Sequence, residues 1–192
     1  MKEILSLARE LFDVVGVVVE GQKTFLILGL VSRPNRDLDV FLSDSRRWRF
    51  PGFYQHFTPK VEVLVQKLRE EGFGAKQKKY SELNLKEMAI RAGMGFWGKN
   101  SLVIHSRFGP WLRFVALETN APFKPTVYET SPRLCGECDA CLRACPVEGL
   151  LEPYKLMSKE RCLAHLQLEN PTLKPISRCD KCLISCPISL GD

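Results

Sequence analysis

Eight cysteines, all between positions 135 and 186, constrain this chain more than any other feature of its sequence. They form two runs and one isolated thiol, Cys135-x-x-Cys138-x-x-Cys141-x-x-x-Cys145-Pro, then Cys162, then Cys179-x-x-Cys182-x-x-x-Cys186-Pro. The first run has the spacing with which ferredoxins hold [4Fe–4S] clusters through thiolate sulfur. The pattern therefore predicts a redox protein built around iron and sulfide.

The two runs are an internal repeat at an offset of 41 residues. Only the slot of Cys135 fails to match, because Ile176 stands there in the second run, and Cys162 is the spare thiol. In two-cluster ferredoxins the fourth cysteine of a run binds the other cluster. This rule predicts a first quartet of Cys135, Cys138, Cys141 and Cys186, and a second quartet of Cys162, Cys179, Cys182 and Cys145.

Two other uses of the cysteines remain open at this point. Disulfides are typical of small secreted chains, but Met1-Lys2-Glu3 begins an amphipathic helix pattern and not a secretion signal. Zinc also binds C-x-x-C pairs, although the C-x₂-C-x₂-C-x₃-C-P run is less typical of zinc. We therefore expect a cytoplasmic protein with reduced thiols and two [4Fe–4S] clusters.

The composition is that of a soluble globular protein, with 45% hydrophobic and 26% charged residues in 192. No stretch approaches the roughly 20 apolar residues that cross a bilayer, so no membrane association is expected. The formal net charge is +6, which the negative charge of thiolate-bound clusters partly offsets. Charge is therefore only a weak indication of nucleic-acid binding.

The spacing of the apolar residues and the positions of glycine and proline predict a mixed α/β N-terminal part, followed by a ferredoxin-like part of about 60 residues. A helix is expected from Pro59 to residue 71 with Thr58 as its N-cap, and another between Asn84 and Gly93. The remaining predicted segments are a helix over 2–13, strands over 14–20, 24–32, 101–105 and 112–118, and a linker over 121–132.

The segment Gly93-Met-Gly95-Phe-Trp-Gly98-Lys99 matches the phosphate-binding patterns G-x-G-x-x-G and, in most positions, G-x₄-G-K-[ST]. Both patterns require a strand before them and a helix after them. Here a predicted helix precedes and a predicted strand follows, and Asn100 stands where Ser or Thr is needed. We reject nucleotide binding. The glycines then indicate either a tight turn or the close approach of a bulky flat ligand.

The segment Arg91-Ala-Gly-Met-Gly-Phe-Trp-Gly-Lys-Asn-Ser-Leu-Val-Ile-His105, with Phe108, Gly109 and Trp111 after it, resembles the signature of epoxyqueuosine reductases. The eight cysteines, including Cys162, have that family's order and spacing. Gly52-Phe-Tyr-Gln-His-Phe is similar to the family's segment further upstream. The resemblance extends over about residues 50–190.

The resemblance implies a fold class on the border of α+β and α/β. A nitroreductase-like α/β core over residues 1–125 would hold cobalamin, and a ferredoxin-like domain over residues 126–192 would carry two [4Fe–4S] clusters. It implies relatedness to reductive dehalogenases and reduction of epoxyqueuosine to queuosine in tRNA. Electrons from a low-potential donor such as ferredoxin or flavodoxin would pass through the clusters to the cobalamin.

Carried over residue by residue, the resemblance places six positions near the corrin, namely Gly95, Lys99, Asn100, Val103, Phe114 and Gln167. The chain departs from the family pattern before the glycine motif. Lys79 stands where the family has its proton-donating Asp, and Leu85 stands at a second acidic position. Tyr80 and Glu82 are the remaining candidates for a proton donor.

Three functions follow from these observations. The first is an epoxyqueuosine reductase-like oxidoreductase acting on epoxyqueuosine in tRNA or on another substrate. The second is a non-catalytic electron carrier that reduces a partner corrinoid protein or reductase, because the family's Asp is missing. The third is an RNA-binding module whose clusters are structural. Bound corrinoid distinguishes the first from the second, and tRNA binding that persists in either redox state of the clusters indicates the third.

Overall fold

The computed structural model describes residues 1–33, 35–40, 42–44, 47–49, 51–78, 81–127, 135–150, 152–154, 161–162 and 179–188. Five helices lie in these ranges: α1 Lys2–Leu11, α2 Pro51–Glu70, α3 Leu85–Arg91, α4 Ala140–Arg143 and α5 Lys181–Ile184. The strands are β1 Val14–Glu20, β2 Lys23–Val31, β3 Leu42–Asp44, β4 Arg47–Arg49, β5 Ala75–Lys78, β6 Phe96–Trp97, β7 Val103–Ile104 and β8 Leu112–Thr119. No described helix is long and apolar enough to span a lipid bilayer.

A four-stranded sheet with the order β1-β2-β8-β5 forms the centre of the fold, and each neighbouring pair is antiparallel. The strands predicted over 14–20, 24–32 and 112–118 are confirmed to within one residue at each end. Because the sheet is antiparallel, this part of the chain is α+β in character.

Strand β2 is buried from Thr24 to Val31, so it contributes to both faces of the sheet. Its even-numbered residues, such as Leu28, pack with α1 and α2 in one hydrophobic cluster. Its odd-numbered residues, such as Ile27, pack with α3 and the glycine-rich segment in a second cluster. This alternation follows from the two-residue period of a strand. It places the glycine-rich segment on the face opposite α1 and α2.

Helix α2 starts eight residues before the predicted first position, so the expectation that Thr58 caps it and Pro59 opens it is wrong. Pro51 takes the first position and Pro59 lies inside the helix. The added turns place Phe53 and Phe57 against one another at 4.5 Å between ring centroids, and Phe57 is fully buried. Burying Phe57 contributes about 1.5–3 kcal/mol and Phe53 adds to it, which offsets the roughly 3 kcal/mol cost of an interior proline.

Helix α3 has the caps that the sequence predicts. The Asn84 side chain accepts a hydrogen bond from the backbone N–H of Glu87 at 3.3 Å. At the other end Gly93 has φ +59°, and the N–H groups of Gly93 and Met94 donate to the carbonyls of Ile90 and Ala89. This is the glycine-terminated motif that commonly ends helices, and it turns the chain into the glycine-rich segment.

Replacing Asn84 with Ala should lower the free energy of unfolding by about 1 kcal/mol, because one N–H at the start of α3 loses its acceptor. Urea unfolding followed by circular dichroism measures this difference. Asn84→Ser keeps an acceptor oxygen at the cap and should recover most of the loss. Equal stabilities for Asn84→Ala and Asn84→Ser would show that the cap contributes nothing.

The start of the segment predicted as a linker over 121–132 packs on the core. Ala121 is fully buried and Phe123 is 5% exposed. The Thr126 N–H donates to the Val17 carbonyl at 3.1 Å, and the Val17 N–H donates to the Thr126 hydroxyl oxygen at 2.7 Å. Residues 128–134 lie outside the described part of the chain. The domain boundary at 125/126 stays a prediction.

Candidate iron–sulfur site

The two cysteine runs have the same backbone. Helices α4 and α5 follow Asp139 and Asp180, whose dihedral angles (φ, ψ) are −128°, 14° and −122°, 10°. The last cysteine of each run donates its N–H to the carbonyl of the Leu three residues earlier, at 3.2 Å for both Cys145 and Cys186. The internal repeat of the sequence is therefore also a structural repeat, and helices α4 and α5 contact each other.

The first quartet comes together around one cavity. The sulfur-bearing side chains of Cys135, Cys138 and Cys141 line it together with Cys186 from the second run. Burial raises the pKa of the Cys141 thiol, and the nearby thiolates of Cys135, Cys186 and Cys138 raise it further. Three cysteines of one run and the last cysteine of the other thus share a space, and their service as iron ligands stays a prediction.

Cys182 has thiols of both quartets among its charged neighbours. Its pKa is raised to about 12, first by burial and then by the thiolates of Cys179, Cys141, Cys162 and Cys145 in that order. Three of these four belong to the second quartet, and Cys141 marks where the quartets adjoin. The Cys145 sulfur also accepts a hydrogen bond from the Gly149 N–H at 3.2 Å. Backbone donors to sulfur are a usual means of stabilising cluster thiolates.

The donor set fits iron–sulfur clusters. All eight cysteines are free thiols of intermediate burial. The four cysteines of the first quartet line one common cavity. Ser185, between Cys182 and Cys186, has a buried hydroxyl without a hydrogen-bond partner. A sulfur atom of a bound cluster could accept the hydrogen bond that this hydroxyl does not make within the protein.

The glycine-rich segment forms a tight turn whose glycines are explained by contacts within the chain. A Cβ on Gly95, at φ +145°, would lie 2.2 Å from the Ile104 carbonyl oxygen, and a Cβ on Gly98 would lie 2.5 Å from the Ile104 side chain. Strands β6 and β7 pair here, with Phe96 opposite Ile104. The predicted strand over 101–105 is shortened to β7, because Ser101 adopts a left-handed conformation at φ 60°.

Two predicted site residues, Lys99 and Asn100, connect this turn to both cysteine runs. The Lys99 ammonium donates to the Gly136 carbonyl at 2.7 Å, between Cys135 and Cys138. The Asn100 side-chain amide donates to the Cys182 carbonyl at 3.3 Å and accepts from the Leu102 N–H at 3.1 Å. Both side chains also line the cavity of the first quartet. The turn and the cysteine runs therefore form one site.

The other predicted site residues are distributed differently. Val103 and Phe114 are buried in the hydrophobic cluster behind the turn, at 3% and 9% exposure. The Glu82 carboxylate forms an ion pair with the Lys78 ammonium at 3.0 Å. Tyr80 and Gln167 lie outside the described residues. The roles proposed for these residues at a corrin, or as proton donors, stay predictions.

The sequence did not single out Lys86, which the structure places beside the site. Its half-buried ammonium donates to the Ser101 carbonyl at 2.9 Å. Burial lowers its pKa, the Arg113 charge lowers it further, and the thiolates of Cys182 and Cys162 oppose both effects. One sequence signal was present, because Lys86 is three residues before the buried Ala89 and so lies on the inward side of α3.

The chain is similar to curated epoxyqueuosine reductases, although no family model matches it. The protein from Listeria monocytogenes is 35% identical over 119 residues, which are 57% of this chain and 31% of that protein. The protein from Prochlorococcus marinus is 28% identical over 195 residues, which are 88% of this chain and 58% of that protein. The chain thus spans less than two thirds of the length of these relatives.

Solved structures show the same relationship at the level of the fold. An epoxyqueuosine reductase crystallised with an epoxyqueuosine-modified tRNA-Tyr stem loop matches with a TM-score of 0.77 and 20% identity, over 97% of this chain and 64% of that one. A reductive dehalogenase whose structure suggests a mechanism for B12-dependent dehalogenation matches with a TM-score of 0.72 and 16% identity, over 96% and 31%. The mixed helix-and-sheet fold of these reductases is therefore also the fold of this chain.

Proposed function

We propose that this chain is a divergent member of the epoxyqueuosine reductase-like family and that it is an iron–sulfur oxidoreductase. It passes electrons through two [4Fe–4S] clusters to a bound cobalamin, which reduces epoxyqueuosine in tRNA or a related substrate. The grouping of Cys186 with Cys135, Cys138 and Cys141 is the observation that carries the proposal. This grouping supports the crossed arrangement of a two-cluster ferredoxin.

In this proposal residues 1–125 are a nitroreductase-like core and residues 126–192 a ferredoxin-like domain. When bound, the clusters supply electron transfer at low potential, one electron at a time. The eight thiolates would hold the iron, and the Gly149 N–H would stabilise the Cys145 sulfur. The side chains of Lys99 and Asn100 hold the glycine-rich turn against both cysteine runs. These two hydrogen bonds would hold the cluster-binding runs against the core that receives the electrons.

The corrinoid part of the proposal is supported by the shared fold and by the B12-dependent chemistry stated for the reductive dehalogenase. When bound, cobalamin supplies a cobalt centre that collects electrons and delivers them to the substrate. Since Val103 and Phe114 are buried in the core, they would support the turn from behind and would not be the part of it that meets a corrin. Gln167 is carried over from the family resemblance.

The tRNA substrate is proposed from the names of the relatives and from the tRNA stem loop in the related structure. The net charge of +6 is compatible with an RNA ligand. The reaction also needs a proton, and Lys79 stands at the family's acidic position. Lys78 pairs with the Glu82 carboxylate, so Glu82 is not assigned as the donor, and Tyr80 stays a candidate from the sequence alone. The electron donor would be a ferredoxin or flavodoxin, and the protein would act in the cytoplasm.

Anaerobic reconstitution with iron, sulfide and hydroxocobalamin tests the proposal. After gel filtration we expect about eight iron and eight sulfide per chain, a retained corrinoid spectrum, and turnover of epoxyqueuosine-containing tRNA with a low-potential reductant. Stoichiometric zinc instead of iron would contradict the cluster assignment. Iron and sulfide without corrinoid would instead support an electron carrier that serves a separate corrinoid protein.

A further inference from the structure

Lys86 is a cation placed between the core and the second cysteine quartet. It projects from α3 to the Ser101 carbonyl at 2.9 Å, and the preceding residue, Asn100, donates to the Cys182 carbonyl at 3.3 Å. Ser101 and Asn100 are 1% and 2% exposed, so each link has one buried partner. A short chain of contacts, from α3 through the turn to α5, therefore fixes the ammonium near Cys182.

The Lys86 ammonium has no carboxylate within ion-pair distance among the residues described here, although eight other lysine and arginine side chains in these ranges do. Its other charged neighbours are Arg113, Cys182 and Cys162. Arg113 is neutralised by Asp39, to which its Nε donates at 2.7 Å. The negative charge that faces Lys86 is therefore that of the second quartet.

We propose that Lys86 is the electrostatic partner of the second cluster and raises the reduction potential of that cluster selectively. This inference rests on the proposed function, because it requires the cluster. With four thiolates, a [4Fe–4S] cluster carries a total charge of about −2 when oxidised and about −3 after it accepts one electron. A nearby cation stabilises the more negative form more strongly and so favours reduction.

Selectivity follows from position. Lys86 is influenced by Cys182 and Cys162, which both belong to the second quartet. Lys99 instead lines the cavity of the first quartet and donates to the Gly136 carbonyl. Each quartet thus has its own lysine. Of the two ammonium groups, only that of Lys86 donates to a buried residue, Ser101. Removing the charge at position 86 should therefore lower the reduction potential of the second cluster and leave that of the first nearly unchanged.

The test is a redox titration of the reconstituted protein with dithionite as the electron source, followed by electron paramagnetic resonance. Lys86→Met removes the charge and keeps the length of the side chain, and Lys86→Arg keeps the charge. Lys76→Met is the control, because Lys76 is 73% exposed and lies 3.8 Å from Glu82. The same titration in a Cys135→Ser/Cys186→Ser background, which retains only the second quartet, identifies the signal.

In Lys86→Met the ratio of reduced to oxidised second cluster at a fixed potential should fall by about tenfold, or about 59 mV for one electron. This is the size expected for one partly buried charge. Lys86→Arg and Lys76→Met should match the unmodified protein. An unchanged second cluster in a Lys86→Met protein with full iron content overturns the inference, as does an equal shift of both clusters. Failure of the unmodified protein to assemble clusters contradicts the proposed function itself.

Discussion

The double replacement Cys135→Ser/Cys186→Ser should leave about half of the iron and sulfide in the protein. Both cysteines line the cavity of the first quartet, although they belong to different runs. Removing two ligands of one cluster should abolish that cluster and spare the other, because all four thiols of the second quartet remain. Iron and sulfide analysis after anaerobic reconstitution measures the outcome, and the remaining electron paramagnetic resonance signal should be that of one cluster.

The matched comparison is Cys179→Ser/Cys186→Ser, which also removes two thiols but takes one from each quartet. We expect this protein to retain almost no iron, since each cluster loses a ligand. If each run instead bound its own cluster, the two results would be exchanged. The pair of variants therefore separates crossed from local ligation with one measurement, and a change that merely disturbs folding would not reproduce the contrast.

Replacing Gly95 with Ala should lower the free energy of unfolding by about 3–5 kcal/mol. The new Cβ would lie 2.2 Å from the Ile104 carbonyl oxygen, and the residue would have to keep a φ of +145°. The strained backbone and the overpacking each cost about 1–3 kcal/mol, with the clash against rigid backbone at the upper end. Chemical unfolding of the reconstituted protein measures the loss, and many domains of this size have only 5–15 kcal/mol in total.

Gly74→Ala is the control for this change. Its Cβ would have the Asn120 side chain as its nearest neighbour at 3.6 Å, an ordinary contact, and its φ lies outside the left-handed region. We expect a change within about 1 kcal/mol of the unmodified protein. A Gly95→Ala protein as stable as Gly74→Ala would mean that the turn between β6 and β7 yields easily. The glycine-rich segment would then have to be explained by a ligand after all.

Local signals predicted much of this molecule. The cap at Asn84 and the stop at Gly93 need only a few neighbouring residues, so the sequence alone located α3. Cysteine spacing likewise identified the repeat, and Cys186 lies at one cavity with three thiols of the first run, while the crossed ligation itself stays a prediction. Each of these features depends on residues that are only a few positions apart in the sequence, so the sequence alone shows which residues are neighbours.

Features that depend on distant parts of the chain were missed. The start of α2 was placed too late because its first turns are held by Phe57 against Phe12 and by Gly52 against the Asp37 carbonyl. Residues 121–127 looked like a linker because Thr126 finds its partner 109 positions earlier, at Val17. The sequence did not identify Lys86 because its neighbours, at positions 101, 113, 162 and 182, come from four separate segments. Tertiary packing, which periodicity cannot reveal, decides all of these cases.

The exchange of hydrogen bonds between Thr126 and Val17 has a consequence for dissecting this protein. Strand β1 is an edge strand of the sheet. The unpaired backbone groups of an edge strand can pair with a strand of a second molecule, which leads to aggregation. Thr126 occupies both backbone groups of Val17 and so blocks that route at the middle of the strand. Any truncated form meant to isolate the N-terminal part therefore has to extend through residue 127. A shorter form would lack Thr126 and leave the backbone N–H and C=O of Val17 unpaired at the edge of the sheet.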